Sequence, residues 1–226
     1  MTAAGARARV RAELTREIVE AARRHLATDG AAGLSLRAVA RELGMASSAV
    51  YRYFASRDEL LTALIIDAYD ALGEAAERAE EAVERADLRG RWLATCRAAR
   101  TWAIANPHEY ALVYGSPVPG YAAPERTIGP ASRVGELLCR VVADGVDAGV
   151  VDPAPDGPGA DDLLVPDVVE RFGLPAGLGS RVVTAWSSLY GAIGFEVFGQ
   201  TRNVVADHER HFDATAHRLA TLVGLP

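Results

Sequence analysis

Residues 35–64 read SLRAVARELGMASSAVYRYFASRDELLTAL, and their spacing decides the fold. Leu36, Val39, Ala40 and Leu43 fall at i, i+3, i+4 and i+7, one face of a short helix that Ser35 opens as N-cap and Gly44 closes. Past Gly44 and Met45, residues 46–54 put Val50, Tyr53 and Phe54 on one side and small or polar residues on the other. Two short helices that cross steeply need a small residue at the contact and a turn residue tolerating positive φ. Ala40 and Gly44 meet both demands, so a helix-turn-helix is expected over residues 35–54.

Working outward, Leu14, Ile18, Ala22 and Leu26 recur every fourth residue, which predicts a preceding helix from Arg11 that stops at Thr28-Asp29-Gly30. On the other side, Ser56-Arg57-Asp58-Glu59 has the form of a capping box. It opens a long stripe through Leu60, Leu61, Leu64, Ile65, Ala68 and Leu72. Residues 74–85 (EAAERAEEAVER) read as a solvated continuation of that helix or as a loop. Residues 92–104 resume a buried pattern, and Asn106-Pro107 starts another helix with proline in its first turn. Four prolines and three glycines make 115–130 a turn-rich connection, and a helix is expected over 131–147. The acidic, Pro- and Gly-rich segment 151–167 reads as a second, mobile connection, followed by apolar helices over 180–198 and 206–223. The predicted class is all-α, with a three-helix head at 11–60 and a long fourth helix leading into a helical body at 61–226.

Composition agrees with a folded helical chain: half of the 226 residues are hydrophobic and 24% are charged. The net charge of −6 argues against a protein that coats nucleic acid over its whole surface, but it conceals an asymmetry. Residues 1–60 hold ten arginines against seven acids, a balance of +3, which leaves −9 for the remainder. Cys96 and Cys139 have no CxxC spacing and suggest neither a disulfide scaffold nor a zinc site. The N-terminal arginines are followed by acids instead of an apolar run, and no stretch is long enough to span a bilayer, so a cytoplasmic protein with no membrane partner is expected.

The stretch 35–64 resembles the DNA-binding domain of TetR-type repressors, in which a short recognition helix ends in an aromatic-x-aromatic-Phe run, here Tyr51-Arg52-Tyr53-Phe54, and a basic residue, here Arg57, opens the next helix. Further on, NPHEYALVYGSPVPGY at 106–121 and AWSSLYGAIGFEVFGQ at 185–200 are similar to the ligand-binding body of a subgroup named for a Trp-His-Gly motif. In this chain Tyr190 stands where that motif has histidine. The resemblance implies a dimeric regulator of double-stranded operator DNA with palindromic half-sites, no cofactor, and a body that takes a small effector and dimerises.

Residue chemistry in the head points the same way. Ala46, Ser47, Ser48 and Ala49 are small enough to let a helix backbone approach base edges in the major groove. Arg37 has the reach and fork geometry for a guanine edge or a phosphate, and the resemblance implies a base contact there. Tyr51, Arg52 and Arg57 suit phosphates, and Tyr53 shares that role or belongs to the core. Arg16 and the N-terminal Arg7, Arg9 and Arg11 have the reach for the DNA backbone or minor groove, but read first as a disordered, solvated arm. In the body, Trp102, Tyr110, Tyr114, Trp186 and Tyr190 are the aromatic candidates for lining a pocket for an apolar or aromatic effector. Trp186, Ile193, Val197, Phe212 and Leu219 are the expected dimer contacts on the last two helices, which are too apolar for a monomer. Gly191, Gly194 and Gly199 read as close-packing sites rather than a phosphate loop.

Two rival readings stand against this one on the same sequence. An activator or a ligand-independent regulator would carry the same head. A metal-dependent enzyme would use His208, His211, Asp213 and His217, but their spacing does not match HExxH, and no GxSxG, Cys-His pair or paired carboxylates accompany them. No metal site is expected.

Overall fold

A computed structural model describes residues 3–153, 164–165, 170–171, 173–174 and 176–226. Most of the connection expected at 151–167 therefore lies outside the described residues, as does the side chain of Arg7. Among the described residues there is no strand. The helices are α1 (Ala3–Gly33), α2 (Leu36–Glu42), α3 (Ser47–Val50), α4 (Arg57–Glu81), α5 (Leu88–Ala105), α6 (Pro107–Tyr114), α7 (Ile128–Asp147), α8 (Ala176–Val197) and α9 (His208–Leu222). Within α1 the helical path breaks at Gly30 (φ 70°, ψ 174°), at the stop signal read from the sequence.

The chain forms two compact units, and their limits are not a single cut. The first comprises residues 1–69 together with 107–128, the second residues 70–106 and 129–226. The return of 107–128 to the first unit has a packing cause: Leu112, Val113, Val118 and Tyr121 lie against the head core of Ile18, Val39, Val50, Leu60, Leu61 and Leu64. Polar ties add to it. Tyr69 donates to the carbonyl of Val113 at 3.3 Å, Thr62 Oγ1 meets the Tyr121 hydroxyl at 2.9 Å, and Arg126 donates to Glu59 at 2.6 Å. That last contact changes the expected capping box. Ser56 Oγ accepts from the Glu59 amide at 3.1 Å, but the Glu59 carboxylate turns to Arg126.

In the second unit, α7 is strongly amphipathic and buries Val134, Leu137, Leu138, Val141, Val142 and Gly145. Trp92 of α5 is buried and donates its indole N–H to the Ala216 carbonyl of α9 at 3.2 Å. Arg91, 0% exposed, lies on Glu80, 2% exposed, at 2.5 Å, and on Asp144 at 2.7 Å. Arg133 of α7 forks onto Glu77 (2.6 and 3.0 Å) and reaches Asp70 (2.8 Å) of α4. It passes so close to Gly73 that a Cβ there would stand 2.6 Å from its Nε. Glu77 is held below the usual carboxylate range chiefly by its hydrogen bond from Arg133. At the end of α8, the amides of Gly199 and Gln200 return to the carbonyls of Glu196 and Phe195 at 3.0 and 2.8 Å, a Schellman closure. Gly199 (φ 72°) is thus a helix stop, and Gly191 is exposed with no atom within 4 Å of a Cβ placed there, so neither is a close-packing site within the chain.

Candidate nucleic-acid interface

The helix-turn-helix is built from the core outward. Leu36, Val39 and Ala40 of α2 and Val50 of α3 are buried. Between the helices, the Met45 amide donates to Ala40 at 2.8 Å and the Gly44 amide to Arg41 at 3.2 Å, again a Schellman closure, with Gly44 at φ 65°. Ala40 is both the small contact residue and the acceptor that closes the turn. α3 itself spans four residues, and hydrogen-bonded turns continue it to Phe54, whose amide donates to Val50 at 3.1 Å. Ser35 occupies the N-cap position in extended conformation, but its side chain makes no cap bond.

Polar contacts fix this pair of helices to α1. Arg24 Nε donates to Glu42 at 2.8 Å and His25 Nε2 stands 2.9 Å from the other carboxylate oxygen, at the C-terminal end of α2. The Arg24 hydrogen bond, more than any other contact, holds the Glu42 carboxyl below its ordinary range. Arg57 sits half-buried in the same framework. Its guanidinium donates to the carbonyls of Ala31 (2.7 Å), Leu34 (3.1 Å) and Ala32 (3.3 Å), which closes the end of α1 and the link to α2. The sequence offered no sign of this work, because it depends on carbonyls far back along the chain.

What remains at the surface is the set expected to meet DNA. Arg37, Ala46, Ser47, Ser48, Tyr51 and Arg52 are exposed, and Ala49 and Tyr53 are half-buried. Arg37 makes no hydrogen bond or ion pair among the described residues. Tyr53 lies under a guanidinium, that of Arg11, 5.1 Å from its ring centroid. Arg11 is not part of a loose arm, since α1 is already helical from Ala3.

The aromatic pocket candidates divide between the units. Tyr110 is buried in the first unit, with its ring centroid 5.2 Å from that of Tyr114, which meets Tyr69 edge-on at 5.9 Å. Trp102, Trp186 and Tyr190 belong to the second unit, where Trp186 and Tyr190 are 5.7 Å apart. Of the residues expected at a dimer contact, Ile193, Phe212 and Leu219 are buried inside the protomer, because the α8 and α9 faces that carry them pack within it. Val197 is half-buried and Trp186 is exposed. His208 meets Thr201 Oγ1 at 3.1 Å and His217 faces Asp213 at 3.7 Å. Among the described residues no three His, Cys, Asp or Glu side chains are arranged to hold a metal ion. Nor is any described helix long and apolar enough to cross a membrane.

Known proteins resemble the chain in both parts. Residues 18–64 match the description "Bacterial regulatory proteins, tetR family", and residues 92–219 match "Tetracyclin repressor-like, C-terminal domain". HTH-type transcriptional regulators of Mycobacterium bovis and Mycobacterium tuberculosis are 43% identical to it over 229 residues, covering 97% of this chain and 96% of theirs. The crystal structure of the candidate regulatory protein SCO4313 has a TM-score of 0.78 and 32% identity, over 94% of this chain and 98% of that one. The TetR-family regulator PfmR of Thermus thermophilus shares the fold, with a TM-score of 0.57 at 20% identity over 92% and 96% of the two chains. Fold, helix-turn-helix and relatives agree: the chain belongs to the TetR family and is a DNA-binding transcription regulator, not an enzyme.

Proposed function

We propose that the chain is a cytoplasmic repressor that binds a palindromic double-stranded operator as a homodimer and lets go when a small apolar or aromatic effector enters its body. The observation that carries the reading is the exposed set Arg37, Ala46–Ser48, Tyr51 and Arg52 on a helix-turn-helix whose opposite face is fully committed to a core. Residues 46–49 read bases, Arg37 takes a base edge or phosphate, and Tyr51, Arg52 and Tyr53 hold the backbone. Arg57 supports them from behind and reaches a phosphate only with whatever donors its carbonyl contacts leave. In this reading residues 11–60 work as the DNA-binding domain and 61–226 as the effector and dimer domain.

One head covers one half-site, so useful affinity needs two. A dimer face is supported along α8 and the turn that closes it, where Ser188, Gly191, Phe195 and Phe198 are exposed at i, i+3, i+7 and i+10, the spacing of a helix-packing seam, with Trp186 beside them. Phe195 and Phe198 are 56% and 45% exposed. Trp102, Trp186 and Tyr190, all of the second unit, are the effector contacts we favour. Release then requires that the effector bind one arrangement of the dimer better than the other.

The test combines selection of bound duplexes from random DNA with sedimentation of the chain and of a Phe195→Glu/Phe198→Glu variant. A dimer that selects a two-fold site, and a variant that is monomeric and loses that site, are expected. A monomer that selects a single unrepeated site would overturn the reading. Screening apolar and aromatic compounds for release of the selected duplex tests the effector arm, and release by none of them would count against it.

A further inference from the structure

We propose that the N-terminal turns of α1 are a second DNA-binding element, with Arg11 taking a backbone phosphate next to the bases that residues 46–49 read; this rests on the reading of the helix-turn-helix as the DNA surface. α1 begins at Ala3, yet among its described side chains the first buried one is Ile18. Every described side chain from Gly5 to Glu13 is exposed, so these turns contribute nothing to the head core. A helix without a buried face gains little from its own propensity, and this one carries Arg9 and Arg11 where a core would want apolar residues.

Arg11 is the point at which the extension is tied down. Its Nη2 donates to the Arg52 carbonyl at 3.3 Å, and its guanidinium stands over the Tyr53 ring. Both partners belong to the end of the recognition helix, adjacent to exposed Tyr51 and Arg52. Arg11 therefore comes to the DNA-facing end of the head already oriented, and it makes no ion pair among the described residues. A guanidinium has five N–H donors, and one is used on Arg52. A planar fork held by a ring and a carbonyl loses less freedom on taking a phosphate than a free side chain does. Because α1 lies outside the recognition helix, the contact is to the backbone and adds affinity without reading sequence.

Binding of the full chain, wild type and Arg11→Gln, is measured on the selected operator and on a scrambled duplex across a sodium chloride series. The expected result is that Arg11→Gln weakens both duplexes by the same factor and lowers the slope of log K against log salt by about 0.9 for each head. Arg11→Lys, which keeps the charge, restores most of the slope. Equal melting temperatures of the variants confirm that the head is intact. A wild-type slope in Arg11→Gln overturns the proposal even if affinity falls, since Arg11 then only steadies the recognition helix. A loss confined to the operator overturns it as well. If the wild-type chain fails to distinguish operator from scrambled duplex, the reading of 46–49 fails instead and this proposal falls with it.

Discussion

Replacing Gly44 by alanine isolates the turn that sets the two helices of the DNA-binding motif. Gly44 has φ 65°, and a Cβ placed on it would have no atom within 4 Å, so the substitution carries a backbone cost and no collision. A non-glycine residue in the left-handed region costs about 1–2 kcal/mol. Alanine also stiffens the unfolded chain, which offsets part of this and leaves a loss of about 1 kcal/mol. Asparagine, which tolerates that region, should lose less. Tryptophan fluorescence is the wrong assay, because Trp92, Trp102 and Trp186 all lie in the second unit. Amide hydrogen exchange over residues 36–50 reads the turn directly, through the Met45 amide on the Ala40 carbonyl. A loss of about 1 kcal/mol speeds exchange there roughly fivefold, with the body unit unchanged. Unaltered protection in Gly44→Ala, or an equal effect of alanine and asparagine, would refute the argument from φ.

Two further outcomes follow from the body unit. Glu80→Leu takes the buried carboxylate from Arg91 and leaves its guanidinium only Asp144 as counter-charge, and should cost about 1–3 kcal/mol in urea unfolding followed by tryptophan fluorescence; the double variant Glu80→Leu/Arg91→Met should recover much of that loss. The Glu77 carboxyl is lowered by Arg133, so its contribution to stability is complete above the unfolded value of about 4.3 and disappears as pH falls through the lowered folded value. Acid unfolding of Arg133→Gln should therefore show a shallower loss of stability in that window than the wild type, and identical acid limbs would exclude a role for the pair.

The helix-turn-helix was legible because every signal that makes it is local: the i, i+3, i+4 stripe of α2, the glycine at the turn, and the buried Val50 all lie within one short stretch of chain. The break at Gly30 and the helix start at Pro107 were readable for the same reason. What escaped was set by partners distant in sequence. Arg57 reads as a phosphate contact, and no local pattern shows that the carbonyls of Ala31, Ala32 and Leu34 already take part of its donors. Ile193, Phe212 and Leu219 read as a dimer seam because hydrophobic periodicity marks a buried face without saying which neighbour buries it. Phe195, on the exposed side of the same helix, has the same residue chemistry and the opposite fate. Nor does any local pattern reveal that α6 completes the head unit, since the contact of Leu112 and Val113 with that core depends on the path of the chain through α5.

The charges of the head obey the same distinction. Its balance of +3 is an average over arginines in different states. Arg23 is matched by Glu20, Asp67 and Glu109, Arg24 by Glu20 and Glu42, and Arg57 by carbonyls and Asp58. Among the described residues, Arg11, Arg16, Arg37, Arg41 and Arg52 have no carboxylate partner, and all five are exposed. A matched arginine must give up its acid before it can displace a counterion from DNA, whereas an unmatched one gives up only water. If these five alone meet phosphates, the salt dependence is about 4.5 per head, whatever the formal charge of the chain. An acidic protein can bind a polyanion tightly in this way: at physiological salt, screening confines the influence of an exposed acid to about 8 Å, and the arginines that matter have been left unpaired. A measured slope well above that value would mean that further arginines, Arg57 or the paired ones of α1 among them, meet phosphates in the complex.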